Sequence, residues 1–105
     1  LHAIDAFILH LATERGLSVN YQLLVRRVLE TLAEWLKTRF QIEDPASVTT
    51  AHLSDFLLQR KKDGLAASSA RVELIAMKIF FRWLAARGHR AGDPADPILP
   101  PRQPA

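Results

Sequence analysis

The chain has 105 residues, 49% of them hydrophobic, with 14 Lys and Arg against 11 Asp and Glu, for a formal charge of +3. That is the length of one domain with enough apolar residues for a core, although a domain this small holds only modest stability in reserve. It has no cysteine, which excludes disulfides and thiolate metal sites and is compatible with a reducing cytoplasm, the expected location.

No apolar run approaches the roughly 20 residues that span a bilayer, so no membrane partner is expected. The N-terminus lacks the layout of a secretory signal. The start at Leu1 rather than Met is read as the edge of a trimmed domain.

Four segments carry helical periodicity, and no stretch alternates like a strand. The first runs from about Ala3 to Arg15, with Ile4, Phe7, Ile8 and Leu11 on one face and Gly16 as its stop. The second runs from about Tyr21 to Arg39, with Asn20 as N-cap and an apolar stripe of Leu24, Val25, Val28, Leu29, Leu32 and Leu36. After 41–47, broken by Asp44-Pro45, the third begins behind Thr49 or Thr50 and ends at Gly64, with Leu53, Phe56 and Leu57 inward. The fourth begins after Ser68 and ends near Arg87, before Gly88. The expected fold is therefore all-α, a compact bundle of four main helices occupying 1–91. Residues 92–105, which include Pro94, Pro97, Pro100, Pro101 and Pro104, read as an extended linker towards a further domain.

The fourth helix is the most informative. Val72, Ala76, Ile79 and Trp83 fall on one face, Leu74, Met77, Phe81 and Leu84 on another, and Phe80 between. A helix apolar over most of its circumference is buried on several sides, so this is expected to be the central helix. One narrow strip escapes: Arg71, Lys78 and Arg82, spaced by seven and four, align within about 40° of one another, with Ile75 among them. From Arg71 to Arg90 the bases Arg71, Lys78, Arg82, Arg87 and Arg90 face the single acid Glu73. Ser68 and Ser69 open the same helix, where free amides and the positive end of the dipole suit a phosphate. The strip can grip a DNA backbone or reach base edges; equally, the serines can be simple caps and the cations a solvated face. Arg26-Arg27 on the second helix carries the same ambiguity, because Glu30 and Glu34 are close enough to pair with it.

In order and spacing, these blocks resemble the N-terminal core-binding domain of tyrosine recombinases and phage integrases of the Xer type, over roughly Ile4 to Pro101. The resemblance rests on Ile4-Asp5-Ala6-Phe7, then Glu14-Arg15-Gly16-Leu17-Ser18-Val19-Asn20, then Arg26, Leu29, Trp35 and Leu36. It continues with Gly64-Leu65-Ala66-Ala67-Ser68-Ser69-Ala70-Arg71, Ile79-Phe80-Phe81-Arg82-Trp83-Leu84, and Asp93-Pro94-Ala95-Asp96-Pro97-Ile98 after Gly88. Three positions depart: Tyr21 stands where the family has threonine, Val25 where it has tyrosine, and Val28 where it often has an acid. The resemblance implies a SAM-like bundle forming half of a C-shaped clamp around a DNA duplex, its second and fourth helices facing the major groove. It implies that catalysis resides in a second domain beyond the linker, and that protomers assemble on DNA, this fragment alone being a monomer. It puts Asn20, Tyr21, Arg26 or Arg27, Ser68, Ser69, Arg71 and Lys78 near DNA, with Arg82 continuing the strip.

Chemistry of its own is not expected. Tyr21, the single tyrosine, has no His or Arg cluster nearby in sequence to activate it and is read as packing or a DNA contact. His2, His10, His52 and His89 are scattered without ligand spacing, so neither metal nor cofactor is expected. Arg60-Lys61-Lys62 either complements the end of the third helix or makes a distal phosphate contact. The competing reading is a helical protein–protein interaction domain, seeded by an apolar patch at Ile75 or Leu23.

Overall fold

The structure is a computed structural model and describes residues 2–101. Its elements are α1 (His2–Thr13), α2 (Val19–Phe40), a single 3-10 turn (Pro45–Ser47), α3 (Thr50–Lys62) and α4 (Ala67–Ala86). Among the described residues all regular structure is helical, as the periodicity predicts. α1 packs on α2, α2 on α4, and α3 on both α4 and α2.

The helix ends follow from local chemistry, with two differences from expectation. α1 closes where Gly16 takes a left-handed conformation (φ 59°), a conformation that costs glycine little. The cap of α2 is Ser18, not Asn20: Ser18 is extended, and its hydroxyl accepts the Tyr21 amide at 3.2 Å. Asn20 thus falls in the first turn with its side chain exposed. At the other end Gln41 is left-handed (φ 56°), and its amide donates to the Leu36 and Lys37 carbonyls.

α3 starts at Thr49, whose hydroxyl accepts the His52 amide while its own amide donates to His52 Nδ1. This is a capping box with histidine in the place usual for Glu or Gln. α4 starts one residue before Ser68, behind Ala66, which supplies no side-chain cap. Ser68 and Ser69 therefore lie inside its first turn and are not caps.

α4 buries more residues than any other described helix, although α2 is the helix that packs on all three others. Ala70, Leu74, Ala76, Met77, Phe80, Phe81 and Leu84 are buried, and Phe7 of α1 meets Phe80 and Trp83 at ring-centroid distances of 5.4 and 5.3 Å. Its expected Val72–Trp83 face is only partly covered: Val72 is exposed and Ile79 and Trp83 are half-buried. A second aromatic group, Trp35 with Phe40 and Phe56, joins α2 to α3.

The chain does not leave the bundle at residue 92. Asp93 accepts the Ala95 amide on its carboxylate, Thr50 donates to the Pro94 carbonyl at 2.6 Å, and Ala95 is fully buried. Ile98 packs on the core. Proline bars this segment from a helix but not from packing as a turn and strap. The extended-linker expectation is thus replaced, through residue 101, by a strap on the bundle, and its remainder at 102–105 lies outside the described residues.

Candidate nucleic-acid interface

On α2, residues Asn20, Leu24, Arg27 and Thr31 recur at spacings of four and three, within about 60° of each other. Asn20, Leu24 and Arg27 are exposed and Thr31 is half-buried. The adjacent arginines part company. Arg26 binds Asp5 of α1 at 2.7 Å and Glu30 at 3.3 Å, and these hydrogen bonds, that to Asp5 foremost, raise its pKa. Glu34 takes a hydrogen bond from Thr38, and Arg27 has no ion pair among the described residues. The expected pairing with Glu30 and Glu34 therefore holds only for Arg26 with Glu30. Tyr21 is half-buried and packs on the core.

On α4, Ser68, Val72, Ile75 and Arg82 share a strip within about 80° and are all exposed. Ser68 and Ser69 make no side-chain hydrogen bond among the described residues. The uncapped start of α4 leaves its first amides without an intrahelical acceptor. Arg82, about 20 Å further along the axis at 1.5 Å per residue, has no acid partner among the described residues.

Arg71 and Lys78 are placed differently. Arg71 is half-buried, and its Nη2 donates to the Pro101 carbonyl at 3.2 Å; its buried Nε has no partner among the described residues. Lys78 Nζ donates to the Asp96 carbonyl at 3.1 Å. Both cations face the strap.

The two helices meet around a crevice of about 310 Å³. Leu24, Arg27 and Thr31 line it from α2, and Ser69 and Val72 from α4. The Thr31 hydroxyl donates back to the Arg27 carbonyl. The structure thus brings Arg27 and Ser69 to one site, leaves Arg82 along the same strip, and diverts Arg26, Arg71 and Lys78 to protein partners.

The floor of the crevice holds a pair that sequence reasoning missed. Arg60 of α3 donates Nε and Nη2 to the two carboxylate oxygens of Glu73 at 3.0 and 2.8 Å, and this raises the Arg60 pKa. Only Lys61 and Lys62 are left exposed at the end of α3. Arg90, which the sequence shows only as one of the C-terminal bases, is a structural clamp. It donates to the Pro45 and Val48 carbonyls at 2.9 and 2.8 Å and lies over Phe81, and burial lowers its pKa. The Arg60–Glu73 pair has a signal in the sequence: a lone acid on the buried arc of an apolar helix must find a cation.

Among the described residues, no group of three or more His, Asp or Glu is placed to hold a metal. No described helix is long and apolar enough to cross a membrane.

Comparison with known proteins agrees with this architecture. Tyrosine recombinase XerD of Corynebacterium glutamicum is 37% identical over 97 residues, covering 88% of this chain and 32% of that protein. Tyrosine recombinase XerC of Xanthomonas campestris pv. campestris is 31% identical over 104 residues, 99% of this chain and 32% of that protein. Tyrosine recombinase XerC of Vibrio atlanticus is 30% identical over 100 residues, 95% of this chain and 32% of that protein. The chain therefore spans about a third of the length of these relatives. No solved structure gives a significant match. The profile of the family described as phage integrase, N-terminal SAM-like domain, matches residues 4–88, and with the four-helix bundle in place the chain belongs to that family.

Proposed function

We propose that this chain is the DNA-binding domain of a tyrosine site-specific recombinase or integrase, gripping double-stranded DNA at the core recombination site. Strand breakage and rejoining belong to a catalytic domain of a longer protein, whose protomers assemble on the DNA. The observation that carries this reading is the joint face of α2 and α4. Arg27, a cation without an acid partner, lies beside an uncapped helix N-terminus with two exposed hydroxyls, Ser68 and Ser69, and Arg82, also without an acid partner, lies on the same strip of α4 about 20 Å further along its axis. Unpaired cations and free amides on one face suit phosphate oxygens.

In this reading Asn20, Arg27, Ser68, Ser69 and Arg82 touch the duplex. Tyr21 and Arg26 hold α2 in place from behind. Arg71 and Lys78 serve the strap first and reach DNA only at its edge.

Replacing Arg27 and Arg82 together by Glu tests the assignment by fluorescence anisotropy with a labelled duplex. Both side chains are exposed, so helicity by circular dichroism is expected to be unchanged while affinity falls at least 10-fold. Unchanged affinity overturns the assignment of this face.

The competing protein-interaction reading draws on a different place. An apolar groove of about 540 Å³ between α3 and the strap, with Leu58 and Leu99 exposed at it, is the feature that favours it. Self-association in sedimentation experiments, with no response to DNA, would decide for that reading.

A further inference from the structure

The joint face of α2 and α4 is not purely cationic. Leu24 is 40% exposed and Val72 39% exposed, and they line the same crevice from opposite helices, beside Arg27 and Ser69. Ile75, one turn along α4 from Val72, is 47% exposed. A surface that only neutralises phosphates gains nothing from branched aliphatic side chains, which leave apolar area in water. The core does not demand their exposure either, since Val25, Val28 and Leu29 bury the other arc of α2, and Leu74, Met77 and Phe81 that of α4.

The groove edges of a duplex offer one aliphatic group of matching size, the 5-methyl of thymine, and it lies in the major groove. Arg27 on the rim of the crevice fits a phosphate that flanks a groove. The aliphatic pair fits what lies between them.

We propose that Leu24 and Val72 form a pocket for a thymine 5-methyl group, so that this crevice reads a T·A pair by apolar contact. The inference rests on the DNA-binding reading above and adds to it a base and two residues that determine specificity. Arg27, at the mouth of the pocket, is a positioning residue for the adjoining phosphate or base edge.

The test uses the 105-residue chain and a duplex selected by it from a randomised pool. Each thymine is then replaced in turn by deoxyuridine, which removes the methyl and keeps the pairing. Wild-type affinity is expected to fall roughly 3- to 5-fold at one or two positions, the change that corresponds to one buried methyl group. In the Leu24→Ala/Val72→Ala variant that difference is expected to vanish while the salt dependence stays. Val72→Thr, nearly isosteric, supplies a second variant and is expected to weaken discrimination without loss of helicity.

Equal binding of thymine and deoxyuridine duplexes at every position overturns the pocket but leaves duplex binding standing. Retained discrimination in both variants overturns it too. If the double alanine variant instead loses self-association with its duplex affinity unmoved, the aliphatic pair belongs to a protein contact and the proposal fails. No salt-sensitive duplex binding at all overturns both this inference and the reading beneath it.

Discussion

Glu73 is 8% exposed on a helix that otherwise buries apolar side chains, and its carboxylate survives there because Arg60 meets it with two parallel hydrogen bonds. The two partners are unequal, since Arg60 retains more contact with solvent than Glu73. Removing the arginine strands a buried charge, whereas removing the acid leaves a cation that can turn to water. Arg60→Met is therefore expected to cost about 3–5 kcal/mol and Glu73→Met about 1–2 kcal/mol, with the double variant close to neutral. Urea unfolding of the three variants checks the order, and equal costs for the two single variants would refute it. At the same scale, Gln41 occupies a left-handed position (φ 56°) that closes α2. Gln41→Gly is expected to raise stability by about 0.5–1 kcal/mol, read as a higher thermal midpoint, because glycine pays no Cβ penalty there.

Among the elements, the strap departs most from the sequence reading. A run of prolines signals the end of a helix, and it says nothing about whether the chain then departs or folds back. Here the answer depends on groups far away in sequence: Thr50 on the Pro94 carbonyl, Lys78 on the Asp96 carbonyl and Arg71 on the Pro101 carbonyl. Thr50→Val with Lys78→Met is expected to speed amide exchange at Ile98 roughly 10-fold or more, while the four helices keep their protection. An unchanged rate at Ile98 would mean that apolar packing alone holds the strap. The helices themselves were legible, with bounds up to two residues from those observed. Their ends were less so, because Ser18 and Asn20 are equally good capping residues and only the path of the 14–18 turn selects between them.

For the whole molecule the electrostatics are local. A net charge of +3 on 105 residues is too small to draw nucleic acid by itself, and much of the cationic count is consumed internally, by Arg26, Arg60, Arg87 and Arg90 in ion pairs or backbone clamps. What remains on the joint face of α2 and α4 is a short row. If Arg27, Arg82 and the N-terminus of α4 together engage two or three phosphates, the slope of log affinity against log salt is expected to be about −2 to −3. A slope near zero in an anisotropy titration across salt would remove the electrostatic basis of the interface.

The all-helical bundle, the heavy burial of α4 and the family were legible in the sequence, because these rest on periodicities and block spacings that are properties of the chain taken in order. The sequence also named Arg27, Arg82, Ser68 and Ser69 as candidates for the DNA face proposed above. Which cations lack a protein partner among the described residues emerges from the folded chain alone. A guanidinium or ammonium group binds whichever oxygen the fold brings within reach, and Asp5, Glu73, Asp96 and Pro101 lie 13 to 30 residues from Arg26, Arg60, Lys78 and Arg71 respectively. That distance along the chain is invisible to helical spacing, and it separates the cations that hold the bundle together from those left to face a partner.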